Sequence, residues 1–402
     1  MTTTTHKVSI RWQELDILRG LAAVLMVVNH SGYATLAPNL LSGSLPGNLV
    51  FIGSFAPVLF FFVTGVGYGI QSSKKKTNHW YAVLYKVVVL LLADQLLHWS
   101  GGIWLGIDFF GFIGLSSLVL ELFRNSKSPL AYCLGGFALV SVMRYLIGPE
   151  LRFGYDQKTS EWLGLLFGTH DTPGISYQLS PWLAYPLIGY LVGFAAVHYR
   201  DFVQKHRWQV ICGALILGVI PATAGSILAR NGGSSFFRWG TVAFGFYIVS
   251  FTIILVGMAL SLAICGSRLR VCQNALSLRG IDTFAVVPLH YFLLDLLVMY
   301  GVSGLKTFSF YLLVISVLTI SFLLARSVES FSQIIRQVQP QRFVWFYLVA
   351  MLLVAGLILI SAPKNLLIVT FIKLFGQIVL CLLFVIRPPF LEPKVKQGGS
   401  AS

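Results

Sequence analysis

Long apolar runs, separated by short polar segments, make up most of this 402-residue sequence. Runs of about 20 apolar residues can cross the hydrocarbon core of a bilayer as helices, and we predict about twelve such spans. They lie near 16–36, 49–70, 82–98, 103–123, 130–148, 181–199, 208–229, 240–264, 281–301, 307–326, 343–361 and 365–386. The pattern predicts an all-α integral membrane protein, a polytopic bundle with a central polar cavity.

Composition supports a bilayer as the solvent of this chain. Hydrophobic residues make up 56% of the sequence and charged residues only 11%, an apolar excess too large for one soluble core. The formal net charge of +15 comes from short Lys and Arg clusters between apolar runs. Such clusters favour lipid headgroups as partners and argue against nucleic-acid binding. The five cysteines show no C-x-x-C pattern, and no histidine pair has metal-ligand spacing, so we predict neither a disulfide nor a metal site.

The basic residues also predict the orientation. Of the 29 Lys and Arg residues, 21 fall on one side of the predicted spans, 7 fall on the other, and Lys373 lies within a span. Because Lys and Arg in short loops are retained in the cytoplasm, both termini are predicted to be cytoplasmic. We take the plasma (inner) membrane as the default location, and an intracellular membrane is left open.

The chain is predicted to divide into four parts. Residues 1–15 form a cytoplasmic N-terminal segment, 16–330 the transmembrane core, 331–387 two additional C-terminal transmembrane helices, and 388–402 a disordered cytoplasmic tail rich in Gly and Pro. No small-residue cleavage site follows the first apolar run, so we expect that span to stay in the mature protein.

The first predicted helix carries two ionisable residues within its apolar run. Arg19 and His30 are eleven residues apart, which is about 1100° of helical rotation and about 16 Å of rise, so they share one face without touching. Arg19 could extend to the headgroups, and His30 could be an interhelical hydrogen-bond partner. A histidine this deep in a span more often faces a cavity or relay, which favours a functional role. Asp16 is placed to pair with Arg19, and Asn29 is expected to make a helix contact.

This arrangement resembles a known family of enzymes. Segment 15–23 reads LDILRGLAA and is followed by His30, which resembles the opening of acyltransferase family 3 within the transmembrane acyltransferase superfamily. That superfamily includes the heparan alpha-glucosaminide N-acetyltransferases and the glucan succinyltransferases. Its hallmark is an arginine and a histidine separated by ten residues in the first span.

Later segments are similar to further family motifs. Residues 60–69, with their phenylalanines and a Thr-Gly pair, resemble the second helix of the family. Residues 181–193 resemble the Pro-Trp and glycine-rich helix of the glucan and heparan branches, and 277–290 resembles a late helix ending in histidine. The arginine-rich stretch of the family appears here only as three lysines. Gly65, Gly67 and Gly69 are expected to permit close helix packing.

The resemblance implies transfer of an acyl group, expected to be acetyl, from cytoplasmic acyl-coenzyme A to a hydroxyl or amine of a sugar or glycan. On this hypothesis Arg19 binds the donor and His30 acts as general base, because a neutral imidazole is available near pH 7. The cations that could add charge to a donor-binding site are Lys74, Lys75, Lys76, Arg124 and Arg270.

Several other residues are candidates for the acceptor site or the cavity. They are Asp16, Asp94, His98, His170, Asp171 and His290. Asp94 and His98 are four apart and share a helix face, although a structural hydrogen bond is the more favoured role. His170 and Asp171 lie in a long predicted external loop, where a histidine is usually solvated. His290 lies within a span and could polarise a carbonyl or line the cavity.

A secondary transporter is the competing class. About twelve spans with both termini inside suit a carrier, and intramembrane Arg, His and Asp residues could form a proton relay. Against a carrier, the two halves show no duplication and no matched pair of broken helices. We therefore favour the enzyme, and a homo-oligomer is left open.

Overall fold

The fold is described from a computed structural model of the chain. The structure describes residues 12–72, 80–98, 107–147, 166, 176–232, 242–266, 273–274, 276–278, 281, 283–337, 345, 349, 352 and 366–385. Within these residues the architecture is helical and has no β-strand, although isolated bridge residues occur, such as the pair Leu36 and Leu305.

The helices follow the predicted apolar runs. In the first half of the chain they are α1 (Gln13–Thr35), α2 (Leu45–Gly53), α3 (Ala56–Ser72), α4 (Trp80–His98), α5 (Phe109–Asn125) and α6 (Pro129–Val142), which continues into a π-helical turn at Met143–Ile147. In the second half they are α7 (Leu179–Trp182), α8 (Ala184–His198), α9 (Arg200–Lys205), α10 (Arg207–Gly232), α11 (Phe244–Gly266), α12 (Thr283–Met299), α13 (Thr307–Gln337) and α14 (Leu366–Val385).

Six helical stretches in the described part of the chain are long and apolar enough to cross a bilayer. They are Gln13–Thr35, Leu45–Ser72, Leu179–His198, Arg207–Ile227, Phe244–Gly266 and Thr307–Phe331, with two shorter apolar helices at Thr283–Met299 and Leu367–Cys381. The chain is therefore an integral multi-pass membrane protein. The predicted number of about twelve spans is not confirmed. Several predicted spans form shorter helices, as α5 and α6 do, and 343–361 lies almost wholly outside the described residues.

The predicted second span, 49–70, contains two helices instead of one continuous helix. Its α2 portion ends at Gly53, and α3 begins at Ala56 after a turn at Ser54 and Phe55. Pro57 explains the break, because it lacks the N–H that would bond to the Gly53 carbonyl in a continuous helix, whereas proline is tolerated in the first turn of a new one. The break lies next to α1, which packs against both α2 and α3.

Helix α1 lies among several other helices. Of the described helices, α3 and α8 have the most extensive contact with each other. Around α1 pack α2, α3, α11, α12 and α13. Glycines allow α3 and α8 to approach: a methyl group on Gly65 would lie 1.9 Å from the carbonyl oxygen of Pro186, and one on Gly189 would lie 2.1 Å from that of Phe62. Such small residues permit backbone contact between helices in a bilayer. Close packing is confirmed for Gly65 and Gly69, whereas Gly67 faces open space.

A buried carboxylate on α4 caps the start of α5. The side chain of Asp94 is fully buried, and its oxygens accept hydrogen bonds from the backbone N–H groups of Asp108 at 2.7 Å, Phe110 at 3.0 Å and Gly111 at 2.5 Å. A negative charge also suits the positive end of a helix. Asp94 thus has the structural role that the sequence favoured over acceptor binding.

We expect Gly65→Ala to destabilise the protein and Gly67→Ala to leave its stability nearly unchanged. At Gly65 the added methyl group would collide with backbone on α8, and overpacking of this kind costs about 1–3 kcal/mol. At Gly67 nothing lies within 4 Å of the added group. Thermal unfolding of the two purified variants in the same detergent measures the difference. Equal losses of stability would contradict this helix contact.

Asp94→Ala is expected to destabilise the junction between α4 and α5. It would leave three backbone donors without their carboxylate, and each buried unsatisfied donor costs about 1–3 kcal/mol. Asp94→Asn retains one acceptor oxygen and should lose less. The midpoints of thermal unfolding should therefore rank wild type first, Asn second and Ala last, and a different order would argue against the capping role.

Candidate active site

A cavity of about 550 Å³ lies at the His30 end of α1. Five parts of the chain contribute to it: the second half of α1, the turn between α2 and α3, the start of α5, the segment before α7, and α12. Its polar members are Asn29, His30, Tyr33, Ser54, Asp108, Ser176, Tyr177 and Tyr291. The cavity therefore presents hydroxyl, amide, imidazole and carboxylate groups within an otherwise apolar bundle.

His30 forms hydrogen bonds with two consecutive residues of α12. Its Nδ1 lies 2.8 Å from Nε2 of His290, and its Nε2 lies 3.2 Å from the hydroxyl of Tyr291. The two histidine rings lie edge to edge and nearly parallel, with centroids 5.1 Å apart and planes at 9°. The structure therefore joins residues 260 positions apart in sequence into one polar cluster.

His290 lies behind His30 and is fully buried. Its Nδ1 is 2.9 Å from the carbonyl oxygen of Val286, one helical turn earlier on α12. Both ring nitrogens of His290 are thus engaged, one with its own helix and one with His30. His290 does not line the cavity itself, whereas its neighbour Tyr291 does.

Asn29, next to His30, helps to hold α1 against α2. Its side-chain amide donates a hydrogen bond of 2.9 Å to the carbonyl oxygen of Val50. This is the helix contact expected from the sequence. It satisfies a backbone acceptor, because in a bundle without bulk water such groups require internal partners.

The far wall of the cavity comes from two short segments that precede helices. Asp108 lies before the first turn of α5, and Tyr177 lies before α7; the backbones of Ser176 and Ile107 join these segments through a hydrogen bond of 2.9 Å. Burial raises the pKa of the Tyr177 phenol, and the negative charge of Asp108 raises it further. The phenol therefore stays protonated and can donate a hydrogen bond.

Arg19 lies at the opposite end of α1 from the cavity. Its side chain is 44% exposed and pairs with Asp16 at 3.4 Å, as the spacing predicts. A second cavity, of about 560 Å³ and mostly apolar, opens at this end between α1, α3, α8, α9, α10 and α11. Arg19 lines neither cavity, but Arg200 lines the second one, with its guanidinium carbon 4.6 Å from the centre of the Trp12 ring.

The remaining predicted residues do not join the His30 cluster. Arg124 is buried near the end of α5 and forms an ion pair of 2.5 Å with Glu121. His98 ends α4, but its side chain is outside the described residues. The other predicted residues outside the described part of the chain are Lys74, Lys75, Lys76, His170, Asp171 and Arg270.

Six polar residues of the cavity were not among the sequence candidates: Tyr33, Ser54, Asp108, Ser176, Tyr177 and Tyr291. Tyr291 had a usable signal, because it follows His290 directly in an apolar helix. Asp108 had a weaker one, as a carboxylate at the start of an apolar run. Tyr177 had none, since an aromatic residue next to a helix start is common in any bundle.

One comparison with known proteins identifies a family for this chain. The family model described as heparan-alpha-glucosaminide N-acetyltransferase, catalytic, matches residues 11–220. This range contains the first-helix motif, the helix pair α3 and α8, and most of the cavity wall. No curated protein and no solved structure matches the chain. The match supports the transmembrane acyltransferase relationship through the heparan branch, and not acyltransferase family 3 specifically. Because it covers more than half of the sequence, the chain belongs to the heparan-alpha-glucosaminide N-acetyltransferase catalytic family, a family of membrane-embedded acetyltransferases.

Proposed function

We propose that this protein transfers an acetyl group from acetyl-coenzyme A to a hydroxyl or amine of a sugar or glycan, with His30 as the general base. The observation that carries the proposal is the position of His30. It is an ionisable side chain within an apolar helix, and it borders a cavity that contains polar groups. Among the described residues its Nε2 forms a hydrogen bond with a hydroxyl, that of Tyr291. A base of this kind must have a lone pair within hydrogen-bond distance of the proton that it removes.

The proposed chemistry is a direct transfer. His30 accepts the proton of the acceptor hydroxyl or amine while the acceptor oxygen or nitrogen attacks the thioester carbonyl. The bond between carbon and sulfur breaks, and the sulfur leaves with the electron pair. The protonated imidazole then returns its proton to that sulfur, which releases the free thiol of coenzyme A. The base is restored, and no net proton is gained or lost.

The cavity lining supports a polyhydroxylated acceptor. Asp108 and Asn29 provide acceptor and donor groups, and the phenols of Tyr33, Tyr177 and Tyr291 combine flat apolar faces with a hydroxyl. A sugar ring presents both hydroxyl groups and apolar C–H faces, so it matches these walls. At about 550 Å³ the cavity has room for one or two sugar units and the acetyl group, within the usual size of ligand sites.

The Arg19 end of α1 is the proposed donor side. The predicted orientation places it at the cytoplasmic surface, where acetyl-coenzyme A is available. The guanidinium of Arg19 is 44% exposed and about 16 Å along the helix from His30, so it can bind a donor phosphate while the thioester lies near the base. We also propose cytoplasmic termini, because of the asymmetry of Lys and Arg between the two sides, and keep the plasma membrane as the default location.

Thiol release tests the proposed reaction against transport. Purified protein is incubated with acetyl-coenzyme A and a panel of amino sugars, neutral sugars and short glycans, and the free thiol is followed with time. Acceptor-dependent release, with acetylated sugar in the products, is the expected result. No release across the panel, together with uptake of a sugar into proteoliposomes, would favour the transporter.

His30→Ala is expected to lower kcat by about 10²–10⁴-fold, the usual contribution of a general base. His206→Ala is the matched control, because His206 is exposed and bonds to Gln209 away from the site. The control should keep wild-type turnover. Both variants should elute as the same folded species as wild type. Full turnover by His30→Ala would falsify the proposed role of this histidine.

Arg19→Lys is expected to raise KM for acetyl-coenzyme A about tenfold and to change kcat less than twofold. An ammonium keeps the charge but loses the bidentate phosphate contact of the guanidinium, which affects donor binding more than chemistry. Asp16→Asn serves as the control, since it removes the ion-pair partner but leaves the guanidinium in place. Steady-state kinetics at varied donor concentration separate the two constants, and an unchanged KM in the lysine variant would exclude donor binding by Arg19.

A further inference from the structure

We propose that His290 is a positioning residue that fixes the tautomer of His30 and thereby exposes the lone pair of His30 Nε2 to the cavity. This inference rests on the proposed function, since a tautomer matters for a histidine that acts as a base. It concerns a residue that does not line the cavity, and it assigns to His290 a role different from polarising a carbonyl.

The argument begins at the carbonyl group of Val286. A carbonyl oxygen accepts hydrogen bonds and cannot donate them, so Nδ1 of His290, at 2.9 Å from it, must carry a proton. The ring of His290 is fully buried, and its hydrogen bonds go to the backbone carbonyl groups of Val286 and Val287 and to His30. A charged imidazole buried without an acidic partner is unfavourable, so His290 is neutral. Its Nε2 therefore has a lone pair and no proton.

The protonation of His290 also determines which ring nitrogen of His30 carries a proton. Because Nε2 of His290 can only accept, Nδ1 of His30, at 2.8 Å, must be the donor. A neutral His30 then has no proton on Nε2. The hydroxyl of Tyr291, at 3.2 Å, donates to that nitrogen in the absence of substrate. Each donor in the series thus has an acceptor, from the Tyr291 hydroxyl to the Val286 carbonyl.

The tautomer decides whether His30 can work as a base in this cavity. With the proton on Nδ1 of His30, the lone pair is on Nε2, the nitrogen next to Tyr291 at the cavity. There the hydroxyl of a bound acceptor would replace the Tyr291 phenol. With the opposite tautomer, Nε2 would carry a proton and could not accept another. A partner that holds the second ring nitrogen is the usual way to set a histidine tautomer, and loss of the correct tautomer costs about 10⁴ in kcat in a serine protease triad.

The hydrogen bonds that link Tyr291, His30, His290 and Val286 are held in place because His290 is buried. Val286 and His290 are on the same helix, one turn apart, so the first hydrogen bond moves with α12 as a unit. The two rings lie edge to edge with planes at 9°, so the hydrogen bond between their nitrogens lies near the ring plane and opposes rotation of His30. The low polarity around the pair strengthens each hydrogen bond and makes an unpaired nitrogen costly.

Two substitutions at position 290 separate positioning from packing. His290→Gln keeps a side-chain oxygen that can accept from His30 Nδ1, whereas His290→Leu fills similar space without an acceptor. We expect Leu to lower kcat about 10²-fold or more and Gln to stay within about tenfold of wild type. KM for acetyl-coenzyme A should change less than twofold in both, because His290 lines neither of the two cavities.

A spectroscopic measurement tests the tautomer directly and does not depend on turnover. Nitrogen NMR of protein labelled with ¹⁵N-histidine distinguishes protonated from bare ring nitrogens, and the His30→Gln spectrum identifies the His30 signals among the eight histidines. Wild type should show a protonated Nδ1 and a bare Nε2 at His30. His290→Leu should populate the opposite tautomer. Tyr291→Phe is the matched control, because it removes the contact to Nε2 and should leave the tautomer unchanged.

The outcomes distinguish this inference from the proposed function. A wild-type His30 with its proton on Nε2 overturns the positioning role, whatever the activity. Equal losses of kcat in the Gln and Leu variants, with an unchanged His30 tautomer, reduce His290 to a packing residue and overturn it as well. Undiminished turnover by His30→Ala instead removes the proposed function, while the tautomer measurement still reports on the hydrogen bonds. The wild-type spectrum decides the question even if His290→Leu does not fold.

Discussion

Polar groups buried among apolar helices must find their hydrogen-bond partners within the protein, because neither lipid nor bulk water can supply them. This constraint shapes every polar contact around the candidate site. His30 pairs with His290 and Tyr291, Asn29 pairs with the Val50 carbonyl, and Asp94 accepts three backbone N–H groups. These contacts join α1 to α2 and α12, and α4 to α5. The groups that give the site its chemistry therefore also hold its helices in place.

The cavity forms where helices begin or end. Its walls include the turn before Pro57, the segment that Asp94 caps, and the segment before α7. Irregular backbone at membrane depth is tolerated where it lines a cavity or is buried in protein, because there its N–H and C=O groups can be satisfied. The same breaks that interrupt the apolar helices thus provide room and polar groups for a substrate.

The two ends of α1 have different surroundings. At the His30 end the cavity carries polar groups from several chain segments, whereas at the Arg19 end the cavity is almost wholly apolar and the arginine is partly exposed. Elsewhere in the bundle, glycines bring the backbones of α3 and α8 into direct contact. A single rigid helix therefore sets the distance between the proposed donor anchor and the proposed base.

The sequence alone determined the features that depend on local periodicity and composition. Apolar runs gave the helices, the spacing of Arg19 and His30 placed them on one face, and the three-residue spacing of Asp16 and Arg19 gave their ion pair, since all of these follow from 3.6 residues per turn. The family resemblance rested on the same local motif. The break at Pro57 was also encoded locally, although an apolar run read by composition alone concealed it.

The tertiary structure decided which distant residues meet. Nothing local indicates that His290 contacts His30 across 260 positions, that Asp94 caps another helix while Asp108 faces the cavity, or that Gly65 packs against backbone while Gly67 does not. These outcomes depend on how helices rotate and dock, which is set by the sum of many weak contacts. The sequence therefore determined the position of the proposed base in its helix. The hydrogen-bond partners of that histidine were decided only by packing.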